Sequence, residues 1–352
     1  MTLKNYKVQI ETDAGRLVEA QAPIIVSASR STDIPAFYSK WFSNRIKKGY
    51  IVWYNPFNQK PLYVSFKNTK VIVFWSKNPG PFIPFLNELD SLGIHYYFQF
   101  TLNDYENEGF ERNVPSFVER IETFCNLSKM IGHERVIWRV DPLIITPQTS
   151  VRDLLGKIFS TGNLIKGRTD KLVFSFIDVI AYRKVQNNLL KETQFYTHNT
   201  IMDAELSKNQ IEEFVQGILK IRERWLSEGW NITIASCAEN VDLSKYKIEH
   251  NSCIDGNLMQ KIFFNDSELM QYIKCEKLTG RHSLLQPYVD VKQIHLKDKG
   301  QREFCECIVS KDIGMYNTCR HACVYCYANA SQKAVQENIA KHSDKGESII
   351  TM

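Results

Sequence analysis

No apolar run in the 352 residues approaches the ~20 that cross a bilayer as a helix, so no membrane span is expected. The opening Met1-Thr2-Leu3-Lys4-Asn5-Tyr6 lacks the apolar core of a secretory signal, which points to a cytoplasmic protein. Charge of one sign is scarce as well. Forty-four Lys and Arg against 39 Asp and Glu leave a net charge of +5, far from the clustered basic face that argues for nucleic acid. Runs such as Arg45-Ile46-Lys47-Lys48 read as solvated helix ends, where cations suit the helix dipole. Structural disulfides are not expected, because a reducing compartment keeps thiols free.

Against these absences stand nine cysteines and a 43% hydrophobic content, enough for a sizeable core in one large domain or two ordinary ones. A (β/α) barrel is among the few architectures that use such a length as a single domain. The cysteines are uneven: five of the nine fall between Cys305 and Cys326, which favours metal or cluster ligation. Cys125 and Cys275 sit alone and read as ordinary small apolar residues.

Residues 1–22 read as an N-terminal extension whose hairpin folds about the turn Asp13-Ala14-Gly15. Short, nearly continuous apolar runs then recur: Ile24–Arg30, Val71–Lys77, Tyr96–Thr101, Val136–Asp141, Leu172–Asp178 and Ile232–Cys237. Such runs suit parallel strands covered on both faces. Helical stripes lie between them, including Phe37/Trp41/Phe42/Ile46, with Pro35 before it and Gly49 after. Phe117/Ile121/Phe124/Leu127 and Ile211/Phe214/Ile218/Ile221 are two more. A seventh strand candidate, Glu306–Ser310, precedes the cysteine loop, and Tyr327 onward reads as helix. The expectation is an α/β fold: a partial or permuted (β/α) TIM-type barrel over residues 23–330, its C-terminal unit (305–330) beside the first strand. An open doubly wound sheet fits the same periodicity. Residues 182–207 read as a lid, 256–300 as a small helical linker, and 331–352 as a helical or fraying tail.

Polar residues at strand C-termini make the candidate site, since the loops there converge on one mouth. Arg30, Lys77, Gln99, Arg139 and Asp141 are the catalytic candidates, and Ser29, Thr32 and Asp33 the cofactor-binding ones. Arg139 and Asp141 alternate onto one strand face, where charge is unfavourable unless paired or facing a ligand. In the C-terminal unit, Cys319, Cys323 and Cys326 have C-x3-C-x2-C spacing. Three thiolates can hold three irons of a cubane cluster and leave the fourth iron open, whereas clusters that only carry electrons usually have four. A zinc site of the three cysteines with His321 is the rival reading. Cys237, Cys253, Cys305 and Cys307 are the candidate ligands of a second, fully coordinated cluster; the rival there is partly buried thiols with a redox or substrate-binding pair.

The triad with Tyr325 resembles the cluster loop of radical S-adenosylmethionine enzymes, and Tyr325-Cys326-Tyr327-Ala328 is most similar to the branch that includes spore photoproduct lyase. More widely, the chain resembles the family called domain of unknown function 1848. The motifs that carry this are Ser27–Pro35, Phe74–Pro79, Tyr97–Leu102, Arg139–Pro142, Cys253–Gly256 and the C-terminal cysteine block, over roughly residues 23–330. The resemblance implies a [4Fe-4S] cluster on the triad, S-adenosylmethionine on its open iron, Tyr325 near the adenine, a 5′-deoxyadenosyl radical, and a reductant such as flavodoxin or ferredoxin. It suggests a nucleotide or nucleic acid as substrate. One departure is the lack of a Gly-Gly-Glu-type segment for the methionine amine, a role that Ser29, Thr32, Asp33 or Lys77 can take over. A non-catalytic iron–sulfur or redox-sensing protein, and a zinc-stabilised barrel, remain the alternatives.

Overall fold

The computed structural model describes residues 6–274, 276–279, 290–293, 296–298 and 300–351; Cys275 lies outside them. The hairpin forms as expected, with β1 (Lys7–Glu11) antiparallel to β2 (Leu17–Gln21). Next come β3 (Ile25–Ala28), α1 (Ile34–Phe37) and α2 (Ser39–Lys48). Two short helices replace the single expected one: Asp33 caps the first through Ala36 N–H at 2.9 Å, and Gly49 ends the second in a left-handed conformation. β4 (Tyr50–Tyr54) and β5 (Pro61–Ser65) went unrecognised in the sequence; they complete a four-stranded sheet in the order β1-β2-β5-β4.

From there strand and helix alternate. β6 (Val71–Ser76), α3 (Leu86–Ser91), β7 (His95–Thr101), α4 (Phe117–Ile131) and β8 (Val136–Leu143) come first. They are followed by α5 (Val151–Leu164), β9 (Lys171–Phe176), α6 (Arg183–Glu192), α7 (Lys208–Ser227), β10 (Thr233–Ser236) and β11 (Glu249–His250). Ser116, Ser150 and Ser207 each close a reciprocal capping box, which fixes where α4, α5 and α7 start. The supposed linker holds two helices, α8 (Gly256–Ile262) and α9 (Ser267–Lys274), and a strand pair, β12 (Glu276–Thr279) with β13 (Asp290–Gln293).

The C-terminal strand is β14 (Lys311–Asp312), later than the expected Glu306–Ser310, within which Ile308 makes only an isolated bridge to Lys297. β14 pairs in parallel with β3, Lys311 opposite Val26. All neighbours in the resulting eight-stranded sheet are parallel, in the order β11-β10-β9-β8-β7-β6-β3-β14. Among the described residues no pairing joins β11 to β14, so the fold shown is α/β with a large parallel sheet. α10 (Gln332–Ile339) starts later than Tyr327, where Ser331 accepts Ala334 N–H and sets the N-terminus. The tail does not fray: Ile349 and Ile350 are buried, Trp41 Nε1 donates to Gly346 O at 2.9 Å, and Val52 N donates to Glu347 O at 2.8 Å.

Side chains alternate across the strands and so divide two cores. On one face Ile72, Phe74, Phe98, Trp138 and Phe174 meet α2, α4, α5 and α7; Phe74 stacks on Phe98 with centroids 4.9 Å apart. On the other Ile25, Val73, Tyr97, Ile137, Val173 and Ala235 meet Met259 of α8, Phe263 just past its end, and Leu269 and Ile273 of α9. Coverage of both faces explains why the strands read as continuous apolar runs. No helix among the described residues is long and apolar enough to cross a membrane.

Candidate functional site

Continuing the period of Tyr97, Ile137, Val173 and Ala235 by two residues reaches Gln99, Arg139, Ser175 and Cys237. Four polar or sulfur-bearing groups therefore end four adjacent strands on one face, above the apolar layer. Arg139 is the hub. Its Nη2 pairs with Asp141 Oδ2 at 2.5 Å, and its Nη1 reaches Gln99 Oε1 at 3.2 Å and Cys253 Sγ at 3.1 Å. Gln99 Nε2 donates to Cys253 O at 3.0 Å, and Ser175 Oγ donates to Asp141. Burial works against the Asp141 charge, but Arg139, with the Ser175 hydrogen bond, holds its carboxyl below the usual range.

Sulfur gathers at the same place. Cys237 Sγ lies 3.4 Å from Cys253 Sγ, and Ile254 N–H donates to Cys307 Sγ at 3.3 Å. Cys307 lies within electrostatic reach of Cys253 and of Cys305, which gathers four thiols at one place. Arg30, at the end of β3, lies within electrostatic reach of Cys307, Cys253 and Cys305. Its guanidinium covers the Trp75 ring at 5.1 Å, and its Nη2 is buried without a partner.

The C-x3-C-x2-C loop sits on a second network. Asp33 accepts from Ala36 N (2.9 Å), Ser76 Oγ (2.8 Å), Lys77 N (2.8 Å) and His321 Nε2 (2.7 Å). His321 meets Asp33 through Nε2, and its Nδ1 is buried without a partner. Lys77 Nζ pairs with Glu111 Oε1 at 2.7 Å and with Tyr325 Oη at 2.9 Å. Glu111 also takes Arg120 Nη1 at 3.1 Å, Asn103 Nδ2 at 2.9 Å and the Tyr325 hydroxyl. Burial alone would raise the Glu111 pKa; Lys77 and Arg120 together bring it down to about 2. Asn103 joins the two networks, donating to Asp141 O at 3.1 Å and accepting from Asp141 N at 3.0 Å.

Glu111 gave no signal in the sequence. It lies in the loop after β7, carries no motif spacing and is buried only because the cysteine loop docks on it. Cys323 bridges Glu111 antiparallel, Val324 N donates to Phe110 O at 2.9 Å, and Asn113 N donates to His321 O at 3.0 Å. Gly314 permits the approach from the other side: a Cβ there would stand 1.7 Å from Ser29 Oγ and 2.5 Å from Ser31 Oγ.

Of the residues named for cofactor contact, Ser29 turns inward, its Oγ accepting from Ser31 N at 3.0 Å and Thr32 N at 3.1 Å. Asp33, Lys77 and Tyr325 are engaged within the chain. Thr32 Oγ1 is buried without a partner. Burial pushes the Cys319 thiol up to about 12 and that of Cys323 well above the ordinary range, Lys77 opposing it at Cys323. Among the described residues no group of three or more His, Cys, Asp and Glu side chains is arranged to hold a metal ion. In the supposed lid, Tyr182 meets the Tyr327 ring at 5.8 Å and Lys184 Nζ donates to Tyr327 O at 3.3 Å. Cys125 is half-buried against the main core, as its reading as a small apolar residue requires.

Comparison with curated proteins finds no match, and comparison with solved structures finds none. The family model described as Domain of unknown function (DUF1848) matches residues 25–328, spanning the parallel sheet, both networks and the cysteine loop, and the chain belongs to that family.

Proposed function

We propose that the protein is a radical S-adenosylmethionine-type enzyme, with a [4Fe-4S] cluster on Cys319, Cys323 and Cys326 at the end of a partial, permuted barrel. The observation that carries this reading is the seating of the loop. β14 lies beside β3, and Asp33 and Glu111 clamp the loop against the strand C-termini through His321 and Tyr325. The donor set suits the group: three thiols at C-x3-C-x2-C spacing on one loop can hold three irons of a cubane cluster and leave the fourth open. Buried, unpartnered Thr32 Oγ1, His321 Nδ1, Arg320 Nε and Asn329 Oδ1 leave hydrogen-bonding capacity next to the loop. A reduced cluster there would supply the electron that splits S-adenosylmethionine into methionine and a 5′-deoxyadenosyl radical.

The chain's own groups orient and enclose. Thr32, next to Asp33, has a buried hydroxyl without a partner and takes the methionine end of S-adenosylmethionine. Lys77, held by Glu111, keeps a positive charge beside Cys323 and favours its thiolate. Arg30, Gln99, Arg139 and Asp141 line the neighbouring strand ends and present the substrate, for which a nucleotide or nucleic acid is the first class to test. Flavodoxin or ferredoxin suits the role of reductant.

One anaerobic experiment decides. After reconstitution with iron and sulfide and reduction, added S-adenosylmethionine should change the cluster EPR signal and yield 5′-deoxyadenosine, and replacing Cys323 with Ala should abolish both. An iron-loaded protein with neither response would be a redox-sensing iron–sulfur protein instead, and stoichiometric zinc without iron would indicate a zinc-stabilised barrel.

A further inference from the structure

We infer that Cys237, Cys253, Cys305 and Cys307 form a second metal centre with four thiolate ligands, separate from the loop triad and flanked by two arginines. The inference does not rest on the radical-enzyme reading: it stands or falls on these four side chains.

Three parts of the chain deliver the sulfurs. Cys237 ends β10, Cys253 follows β11, and Cys305 and Cys307 lie in the segment leading to β14. Two hydrogen bonds fix the assembly: Asn251 N donates to Ser236 O at 2.8 Å, and Ile308 N donates to Ile254 O at 3.1 Å. Cys237, Cys253 and Cys307 are buried, and Cys305 is half-buried at the rim. Four free thiols gathered from distant sequence positions are an unusual filling for a core whose other members are mostly aliphatic and aromatic.

The second observation is charge. Arg139 Nη1 lies 3.1 Å from Cys253 Sγ, and Arg30, whose buried Nη2 has no hydrogen-bond partner, is within electrostatic reach of Cys307, Cys253 and Cys305. Neutral thiols offer a buried guanidinium little compensation. Four thiolates around a divalent core carry two net negative charges, which two guanidinium groups match. Asp141 already neutralises part of Arg139, and Asp312 lies within electrostatic reach of Arg30, so the centre and the two carboxylates share the two guanidiniums.

In the thiol form only Cys237 and Cys253 stand sulfur to sulfur, 3.4 Å apart, and the described residues hold no ready-made ion site, so metal entry has to draw the sulfurs together. Metal entry releases four protons to solvent and replaces the thiol contacts by four sulfur–metal bonds. Tetrahedral all-sulfur ligation suits either a zinc ion or an iron–sulfur cluster. Both sources share the same chemistry, and the experiment separates them.

The test removes the first site and keeps the second. Full-length protein carrying Cys319→Ala, Cys323→Ala and Cys326→Ala is purified without oxygen, reconstituted in parallel with iron plus sulfide and with zinc, and desalted. The expected result is either about four iron and four sulfide per chain with thiolate-to-iron absorption, or about one zinc, in each case with sulfur-only coordination by X-ray absorption. Adding Cys305→Ser, at the half-buried rim position, should lower retained metal several-fold with the circular dichroism unchanged. Metal retention at trace level in the three-alanine protein overturns the inference, as does metal that survives replacement of both Cys253 and Cys307. Recovery of a Cys237–Cys253 disulfide under anaerobic conditions also overturns it, because those two sulfurs would then be unavailable as ligands. Failure of S-adenosylmethionine cleavage in the unmodified protein leaves all of these outcomes unaffected.

Discussion

The two thiol groups at the strand C-termini differ in what their buried charges hold. Around the loop triad Lys77 acts on Cys323 directly, and the carboxylates Asp33 and Glu111 are spent on Lys77 and on the loop's own side chains. Around Cys237, Cys253, Cys305 and Cys307 two guanidiniums, Arg30 and Arg139, act on the sulfurs, with Asp141 paired to Arg139. The carboxylates bond to His321 and Tyr325, the loop's own side chains, so they position the loop. The arginines act on the sulfurs themselves, so they compensate whatever charge the sulfurs carry. One region is built to hold a segment in place, the other to hold negative charge.

The comparison is tested hardest at Glu111. Glu111→Ala leaves Lys77 and Arg120 buried without their anion and should reduce unfolding free energy by about 3–5 kcal/mol in chemical denaturation. The same carboxyl gives a pH signature. Its folded pKa, about 2, lies below the ordinary 4.5, so its contribution is fully present above pH 4.5 and lost as pH falls toward 2. An acid titration of stability that is flat over that window in the wild type would refute the clamp.

On the arginine side, Arg139→Ala should cost less, about 2–3 kcal/mol, because the Asp141 side chain it abandons is 31% exposed and can be hydrated. A larger loss here than at Glu111 would reverse the assignment of the two regions. Asp33→Asn should cost about 1–2 kcal/mol, since an amide turns a donor toward at least one of the N–H groups that Asp33 accepts. Its more telling readout is faster labelling of Cys319 by a thiol reagent, while labelling of Cys305 stays the same.

The smallest effect is expected at Lys311, whose Nζ lies 3.2 Å over the Trp53 ring. Burial brings its pKa down to about 8, Asp312 opposing. The unfolded chain binds more protons than the folded one between pH 8 and 10.5, so stability rises with pH across that window. Lys311→Met should therefore raise Tm modestly below pH 8 and leave it unchanged above pH 10.5.

Much of this was readable in the residues. The six apolar runs became β3, β6, β7, β8, β9 and β10 because strands covered on both faces need little else to mark them. Arg139 and Asp141 were legible as a pair because charges on a strand otherwise buried must find a partner. β4 and β5 escaped because Tyr50–Tyr54 and Pro61–Ser65 lie between turn residues and continue a different, mixed sheet. The tail was misjudged because its mostly polar run hides two isoleucines that find a groove by α2 and β4.

By itself the sequence determined the α/β class, the strand positions, and which cysteines stand close on one loop. Those properties depend on local period and spacing, and neighbouring residues express them. Only the tertiary structure decided that β14 lies beside β3, that Glu111 anchors Tyr325, and that Cys237, Cys253, Cys305 and Cys307 meet under two arginines. Those contacts join residues far apart in the chain. They arise from the order in which strands enter the sheet, and no local pattern encodes that order.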